Sequence, residues 1–139
     1  MTVVFLPVST GPLSLVAPAR RPATRSLTVT VLPGLAEAVV LSVRGEVDMS
    51  TGPFLQRALL SHLANAAPQV TVDLTGVSFL GAAGLAVLVN VKRAAVAAES
   101  RLRLVAHTRV VLLPLTITGL DSEFDIYPAL ADVPSWQDD

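Results

Sequence analysis

Residues 70–88 read Val-Thr-Val-Asp-Leu-Thr-Gly-Val-Ser-Phe-Leu-Gly-Ala-Ala-Gly-Leu-Ala-Val-Leu, and this stretch decides the fold. It opens with a short apolar run, residues 70–74, that lies between two helical patterns and is typical of a buried central strand. From about Ala83 onward, apolar side chains occupy most of a helical circumference, which predicts a largely buried helix. A buried strand that leads into a buried helix indicates an α/β domain.

The segment before this stretch has the pattern of a β-hairpin. Residues 27–32 and 38–43 alternate in the β-branched manner of strands, and Pro33 and Gly34 interrupt them. Residues 44–48 follow as a turn-like segment that we expect to link the hairpin to a helix.

Capping residues mark the start of that helix. Ser50 and Thr51 supply hydroxyl groups, and Pro53 suits the first helical turn. Apolar residues then recur at helical spacing, at Leu55, Leu59, Leu63 and Ala66. Pro68 ends the predicted helix.

The C-terminal part predicts two more strands and one more helix. Residues 102–106 and 123–126 are typical of strands, and residues 109–118 form a helical segment that ends at Gly119. The element order is then β-β-α-β-α-β-α-β. Because successive β-α-β connections are right-handed, this order predicts an α/β fold with a mixed, four- to five-stranded sheet and helices packed mainly on one face.

Length and composition narrow the classes of function. A chain of 139 residues is long enough for one domain with one core. Its 10 basic and 11 acidic residues leave a net charge of −1, which argues against nucleic acid as a partner. There is no cysteine, so disulfides, thiolate metal sites and cysteine nucleophiles are excluded.

The two ends of the chain differ from its middle. Residues 1–25 contain four prolines and three arginines, and we expect a flexible extension that is either a plain tail or a basic arm that docks a partner. Residues 26–134 are the expected folded domain, and residues 135–139 a disordered tail. The N-terminus lacks a secretory pattern, and the apolar stretch 77–91 is too short to span a bilayer. A cytoplasmic protein without membrane insertion is expected.

Motifs for catalysis or for metal binding are missing. His62 and His107 have no second ligand at metal-binding spacing, so no metal site is expected. No nucleophile motif occurs, and residues 81–84 lack the glycine count and the lysine of a phosphate-binding loop. We therefore expect no catalytic residues and no cofactor. The acidic residues near the last strand, Asp121, Glu123 and Asp125, are interpreted as a solvated face.

Residues 71–88 closely resemble the signature of STAS domains, the family that includes bacterial anti-sigma-factor antagonists. The family's motif is a strand, Asp-Leu-Ser-Gly-Val, an aromatic and an apolar residue, Asp-Ser-Ser-Gly-Leu, and an apolar helix. Residues 40–48, Val-Leu-Ser-Val-Arg-Gly-Glu-Val-Asp, resemble the second strand of the family and its Gly-Glu-Leu-Asp turn. The resemblance covers about residues 27–133 and implies a STAS-type fold.

The resemblance also implies a partner, which is an anti-sigma factor with serine-kinase activity. In the family, such a kinase binds the antagonist, releases its sigma factor and phosphorylates the second Ser of the Asp-Ser-Ser triplet. The added negative charge ends the binding. Aligned on Phe79 and Gly84, the triplet here is Gly81, Ala82 and Ala83, so Ala83 takes the phosphoacceptor position and has no hydroxyl group.

We therefore expect a non-catalytic regulatory protein that resembles an anti-sigma-factor antagonist. Its expected partner-binding residues are Asp48, Met49, Ser50, Thr75, Ser78, Phe79, Leu80, Gly81, Ala82 and Ala83. The change at Ala83 has competing interpretations. The chain is a switch fixed in its binding state, or one governed by a ligand or by another phosphosite such as Ser78 or Thr75. Alternatively, the site has decayed or the domain serves an unrelated scaffold.

The second hypothesis, from a different class of function, is a ligand-sensing or transporter-associated STAS module with a lipid or nucleotide at the same edge. An enzyme is the least favoured hypothesis. The resemblance leaves a weak homodimer open.

Overall fold

The computed structural model describes residues 26–33, 38–64 and 69–134. The predicted extension 1–25 and the predicted tail 135–139 lie outside the described residues. Gly34 and Pro68, which we expected to end elements, lie outside them as well.

Within the described residues, five strands form one mixed sheet, as the sequence predicts. They are β1 (Leu27–Pro33), β2 (Ala38–Val47), β3 (Gln69–Leu80), β4 (Arg101–Val105) and β5 (Asp125–Tyr127). The strands lie side by side in chain order. β1 pairs antiparallel with β2, and the remaining pairs are parallel. The expected central strand is therefore β3.

Three helices connect the parallel strands. They are α1 (Gly52–Ala64), α2 (Ala82–Ala97) and α3 (Arg109–Ile117). Short 3-10 turns follow at Leu120–Glu123 and Leu130–Asp132. Each crossover moves one strand in the same direction, and right-handed crossovers of this kind place their helices on the same face of a sheet.

A hydrophobic cluster of buried residues joins the sheet to the helices. The strands contribute inward-facing aliphatic side chains such as Leu41, Val72 and Leu104. The helices contribute their apolar stripes, which include Leu55, Leu59 and Leu63 of α1, Val87, Leu88 and Val91 of α2, and Val111 and Leu115 of α3. Burial of one such side chain is worth about 1.5–3 kcal/mol, so the stripes hold the helices on the sheet.

β2 and β3 are both longer than the sequence predicts. The predicted turn at residues 44–48 is wrong, because β2 continues to Val47. The second error concerns residues 75–80, which the sequence pattern does not assign to a strand but which belong to β3, because that strand continues to Leu80. The two extensions pair with each other, with Gly45 opposite Val77 and Val47 opposite Leu80.

Both errors arise from glycines, because Gly45 and Gly76 look like turn residues in the sequence. In the structure, the register between β2 and β3 shifts at two places, between Ser42 and Arg44 and between Gly45 and Glu46. Gly45 has a φ of 115°. A glycine of this kind is typical of a β-bulge, which bends a strand without ending it.

The last strand is shifted relative to the prediction. β5 covers Asp125–Tyr127 rather than residues 123–126, because the 3-10 turn Leu120–Glu123 takes up the beginning of the predicted segment. β4 fixes the register, with Arg103 opposite Asp125 and Val105 opposite Tyr127.

Candidate functional site

The ends of β2 and β3 bring most of the predicted site residues together. Parallel neighbours end at the same edge of a sheet, and Val47 lies directly opposite Leu80. From this edge the chain enters α1 through residues 48–51 and enters α2 through Gly81. We call residues 48–50 and 78–83 the candidate surface.

Thr75 does not lie on this surface. It lies five residues before Leu80 in β3, which at 3.3 Å per residue places it about 16 Å from the strand end. Its side chain is half-buried, and its backbone N–H donates to Asp73 Oδ1 at 3.0 Å.

A dense set of hydrogen bonds shapes the turn between β2 and α1. Asp48 Oδ1 accepts bonds from Ser50 N at 2.9 Å, from Ser50 Oγ at 2.8 Å and from Thr51 N at 3.1 Å. Thr51 Oγ1 accepts from Asp48 N at 3.0 Å and donates to Glu46 O at 2.7 Å. The turn is therefore held from both sides by short side chains.

Hydrogen bonds favour the ionised form of the Asp48 carboxyl group. Burial alone raises its pKa, but the hydrogen bonds from Ser50 and Thr51 together outweigh burial and leave the pKa below the ordinary value of 3.8. At neutral pH the turn is thus closed around a carboxylate.

Gly52 places the start of α1 against the start of α2. A Cβ atom added at Gly52 would lie 3.6 Å from Val87 Cγ2 and 3.8 Å from Ala83 Cβ, which are ordinary van der Waals distances. Its backbone N–H donates to Asp48 O at 2.8 Å. The turn that contains Ser50 is therefore next to the first turn of α2.

Gly81 caps α2 with its backbone alone. It has extended φ and ψ angles of −95° and −173° and no side-chain cap bond. Its N–H donates to Val47 O at 3.0 Å, and its carbonyl accepts from Gly84 N at 2.9 Å and from Leu85 N at 3.1 Å. The helix consequently begins at Ala82, one residue earlier than we expected.

The candidate surface exposes two large apolar side chains. Met49 is 84% exposed and Phe79 is 44% exposed. Ser50, Ser78 and Ala82 are exposed around them, whereas Gly81 and Ala83 are half-buried. Leu80 differs from its neighbours, because it is only 6% exposed and belongs to the core cluster.

Basic side chains are missing from the segments that form this surface. The sequence has no Lys or Arg from Gly45 to Gln56, and none from Ala58 to Val91. An apolar surface with one carboxylate is suited to a protein partner and unsuited to a polyanion.

Sequence reasoning missed the structural importance of two residues. Thr51 was expected only as a cap, but it is 4% exposed and bonds two backbone groups. Gly52 was not singled out. The signal for Thr51 was its position three residues after Asp48, because a hydroxyl at that spacing often bonds a turn.

A cleft lies at the other end of α2, away from the candidate surface. It has a volume of about 190 Å³, and its lining includes the polar residues Lys92, Ser100, Arg101, Glu123 and Asp125. The three acidic residues predicted to form a solvated face, Asp121, Glu123 and Asp125, are exposed. In the part of the chain that the structure describes, no cluster of His and acidic residues is suited to a metal ion.

Burial shifts the pKa of His62. It lowers the pKa of this histidine below the usual 6.5, so the ring is neutral at neutral pH.

None of the helices within residues 26–33, 38–64 and 69–134 is both long and apolar enough to cross a membrane.

Comparisons with known proteins agree with this architecture. The family profile described as "Mlab, STAS domain" matches residues 30–130, which is more than half of the chain. The anti-sigma-F factor antagonist RsfB of Mycobacterium tuberculosis strain H37Rv is 33% identical over 107 residues, which are 77% of this chain and 86% of that protein.

Solved structures give the same result. The crystal structure of an anti-sigma factor antagonist from Mycobacterium paratuberculosis is 34% identical, has a TM-score of 0.73, and covers 79% of this chain and 92% of its own. An anti-sigma-factor antagonist domain protein from Planctomyces limnophilus is 20% identical, with a TM-score of 0.64 and coverage of 75% and 92%, and supports the fold alone. The chain therefore belongs to the STAS domain family and is a homologue of the anti-sigma-factor antagonists.

Proposed function

We propose that this chain is a non-catalytic regulator that acts as an anti-sigma-factor antagonist and binds a serine-kinase-like anti-sigma factor through the candidate surface. Its homology to the RsfB protein supports the general role. The observation that carries the proposal is the exposure of Met49 and Phe79 beside the start of α2. Sigma factors act in the cytoplasm, and this function would place the chain there.

The physical basis of binding is the burial of these two side chains. Aromatic and methionine side chains are enriched where protein interfaces bury most of their binding energy. Ala82 and Ala83 add small uncharged groups in the first turn of α2, so a partner can approach the start of this helix closely. Gly81 lets this approach happen without a capping side chain in the way.

Ala83 is the basis for proposing that the usual phosphate switch is absent. Its methyl group lies in the first turn of α2, half-buried beside Gly52. If Ala83 occupies the family's phosphoacceptor position, the chain has no side-chain hydroxyl there to accept a phosphoryl group. The surface at α2 would then stay uncharged and competent to bind.

The ligand-sensing alternative receives less support. That hypothesis places a lipid or nucleotide at the edge formed by the ends of β2 and β3. The cleft described above lies at the other end of α2, so it does not support a ligand at that edge.

Affinity measurements with matched variants test the proposal. The full chain would be titrated, without ATP, against each kinase-type anti-sigma factor encoded by its own organism. We expect Met49→Gln and Phe79→Ser each to weaken binding roughly tenfold or more, which corresponds to about 1.4 kcal/mol. The control is Val96→Ser, because Val96 is also apolar and 66% exposed but lies near the other end of α2.

Two outcomes would reject the proposal. One is that no anti-sigma factor of this type binds the wild-type chain. The other is that Val96→Ser weakens binding as much as the variants at Met49 and Phe79, which would place the contact elsewhere on the molecule.

A further inference from the structure

We infer that Ser50, in the turn between β2 and α1, is the phosphoacceptor of this chain. The inference rests on the proposed function, because it needs a kinase-type anti-sigma factor to dock on the candidate surface. It concerns the regulation of that surface: the usual switch at Ala83 is absent, and a different hydroxyl, on the turn that neighbours α2, takes the phosphate instead.

Position and access favour Ser50. Its side chain is exposed and lies outside the strands and helices. Two residues later, Gly52 lies against Ala83, with only 3.8 Å between an added Cβ and the Ala83 methyl group. A kinase that docks over the start of α2 therefore has the Ser50 turn beside its docking site.

The other hydroxyl groups near this edge are less suitable. Thr51 is buried, and its Oγ1 is bonded to Glu46 O and to Asp48 N. Ser78 is exposed but lies within β3, where its Oγ donates to Gly45 O at 3.3 Å across to β2. Thr75 is half-buried and about 16 Å away along the strand.

The local chemistry suits phosphoryl transfer from a nucleoside triphosphate. The Oγ atom of Ser50 already donates its proton toward Asp48 Oδ1 at 2.8 Å, and the oxygen keeps two lone pairs with which it can attack a phosphorus atom. In the transfer, a bond forms between Ser50 Oγ and the γ-phosphorus, and the bond from that phosphorus to the β,γ-bridging oxygen breaks. The nucleoside diphosphate leaves with the electron pair, and the Oγ proton passes to Asp48 or to solvent.

The product would disrupt the turn. A phosphoserine carries a charge of about −1.5 to −2 at neutral pH. This charge would lie next to the Asp48 carboxylate, which closes the turn through its bonds to Ser50 and Thr51. Repulsion between the two groups, together with new charge beside the exposed Met49, would remove the apolar surface that the partner binds.

Peptide mapping tests the inference sharply, because the arginines separate the candidate hydroxyls. Trypsin, which cleaves after Lys and Arg, releases residues 45–57, whose hydroxyls are Ser50 and Thr51, and residues 58–92, which contain Thr75 and Ser78. The full chain would be incubated with ATP and the kinase-type anti-sigma factors of its own organism. We expect one phosphate on the 45–57 peptide, assigned to Ser50 by fragmentation.

Matched variants complete the experiment. Ser50→Ala should remove the phosphate, Ser50→Thr should restore it, and Ser78→Ala should leave it unchanged. Ala83→Ser in a Ser50→Ala background is the positive control, because it supplies the hydroxyl that the family phosphorylates and should label the 58–92 peptide. The phosphorylated chain should bind its partner roughly tenfold more weakly or worse.

The inference and the proposed function fail separately. A 45–57 peptide without phosphate, or phosphate confined to the 58–92 peptide of the wild-type chain, overturns the inference about Ser50. Binding of the unphosphorylated chain, measured without ATP, decides the proposed function whatever the phosphate does.

Discussion

Thr51 holds the turn between β2 and α1 from inside the protein. Replacing it by Val keeps the volume but removes the hydroxyl that donates to Glu46 O and accepts from Asp48 N. We expect this substitution to lower the free energy of unfolding by roughly 1–3 kcal/mol, because buried polar groups lose their bonds. Urea denaturation measures the change.

Ser50→Ala is the matched control for Thr51→Val. The hydroxyl of Ser50 is exposed, and its backbone N–H keeps its own bond to Asp48. The expected loss is smaller than for Thr51→Val, about 0.5–1 kcal/mol, because water can replace the exposed hydroxyl that donates to Asp48. Equal losses in the two variants would contradict the structural importance assigned to Thr51.

Asp48 makes stability depend on acid pH. Its pKa is lower in the folded chain than the ordinary 3.8, so the unfolded chain binds its proton more readily. The contribution of Asp48 is therefore fully present above that ordinary value and is lost as the pH falls through the folded-state pKa. Asp48→Asn should remove this component, so the variant should lose less stability than the wild type between about pH 5 and about pH 2. Parallel denaturation profiles over that range would refute the assignment.

At the scale of elements, Gly84 sets how closely α2 packs on the sheet. A Cβ added there would lie 2.5 Å from Leu80 Cδ1 and 2.8 Å from Val47 Cγ1, both of which are core side chains. Overpacking of this kind typically costs about 1–3 kcal/mol. We expect Gly84→Ala to lower the thermal midpoint, which calorimetry measures.

Gly52→Ala is the internal comparison, because its Cβ would meet only ordinary contacts at 3.6 and 3.8 Å. It lies in the first turn of α1, where Ala is the better helix former. The thermal midpoint of this variant should equal that of the wild type or exceed it. If Gly84→Ala is equally well tolerated, α2 does not pack on Val47 and Leu80 as the structure has it.

The elements also differ in how well they can be predicted from sequence. The three helices follow from apolar spacing such as that of Leu55, Leu59 and Leu63, and the core strands follow from β-branched runs, because both patterns are local. The residues at which β2 and β3 end cannot be predicted from a local pattern. Gly45 and Gly76 look like turn residues, and only the pairing of one strand extension with the other keeps both segments extended.

For the whole molecule, the candidate surface was predictable in its location but not in its details. Parallel topology places the ends of β2 and β3 at one edge, so residues 48–50 and 78–83 could be expected to meet. The sequence did not distinguish Leu80, which faces the core, from Phe79, which faces outward. That difference depends on how β3 leads into α2, and therefore on Gly81 and Gly84.

The most direct test of the central claim is a map of the residues that a partner touches. The ¹⁵N-labelled full chain would be titrated with its kinase-type anti-sigma factor in the absence of ATP, and amide chemical shifts followed. We predict changes at residues 48–52 and 78–85, with little change around the cleft formed by Lys92, Arg101 and Glu123. Shifts centred on that cleft, with none at residues 48–52 and 78–85, would contradict the account.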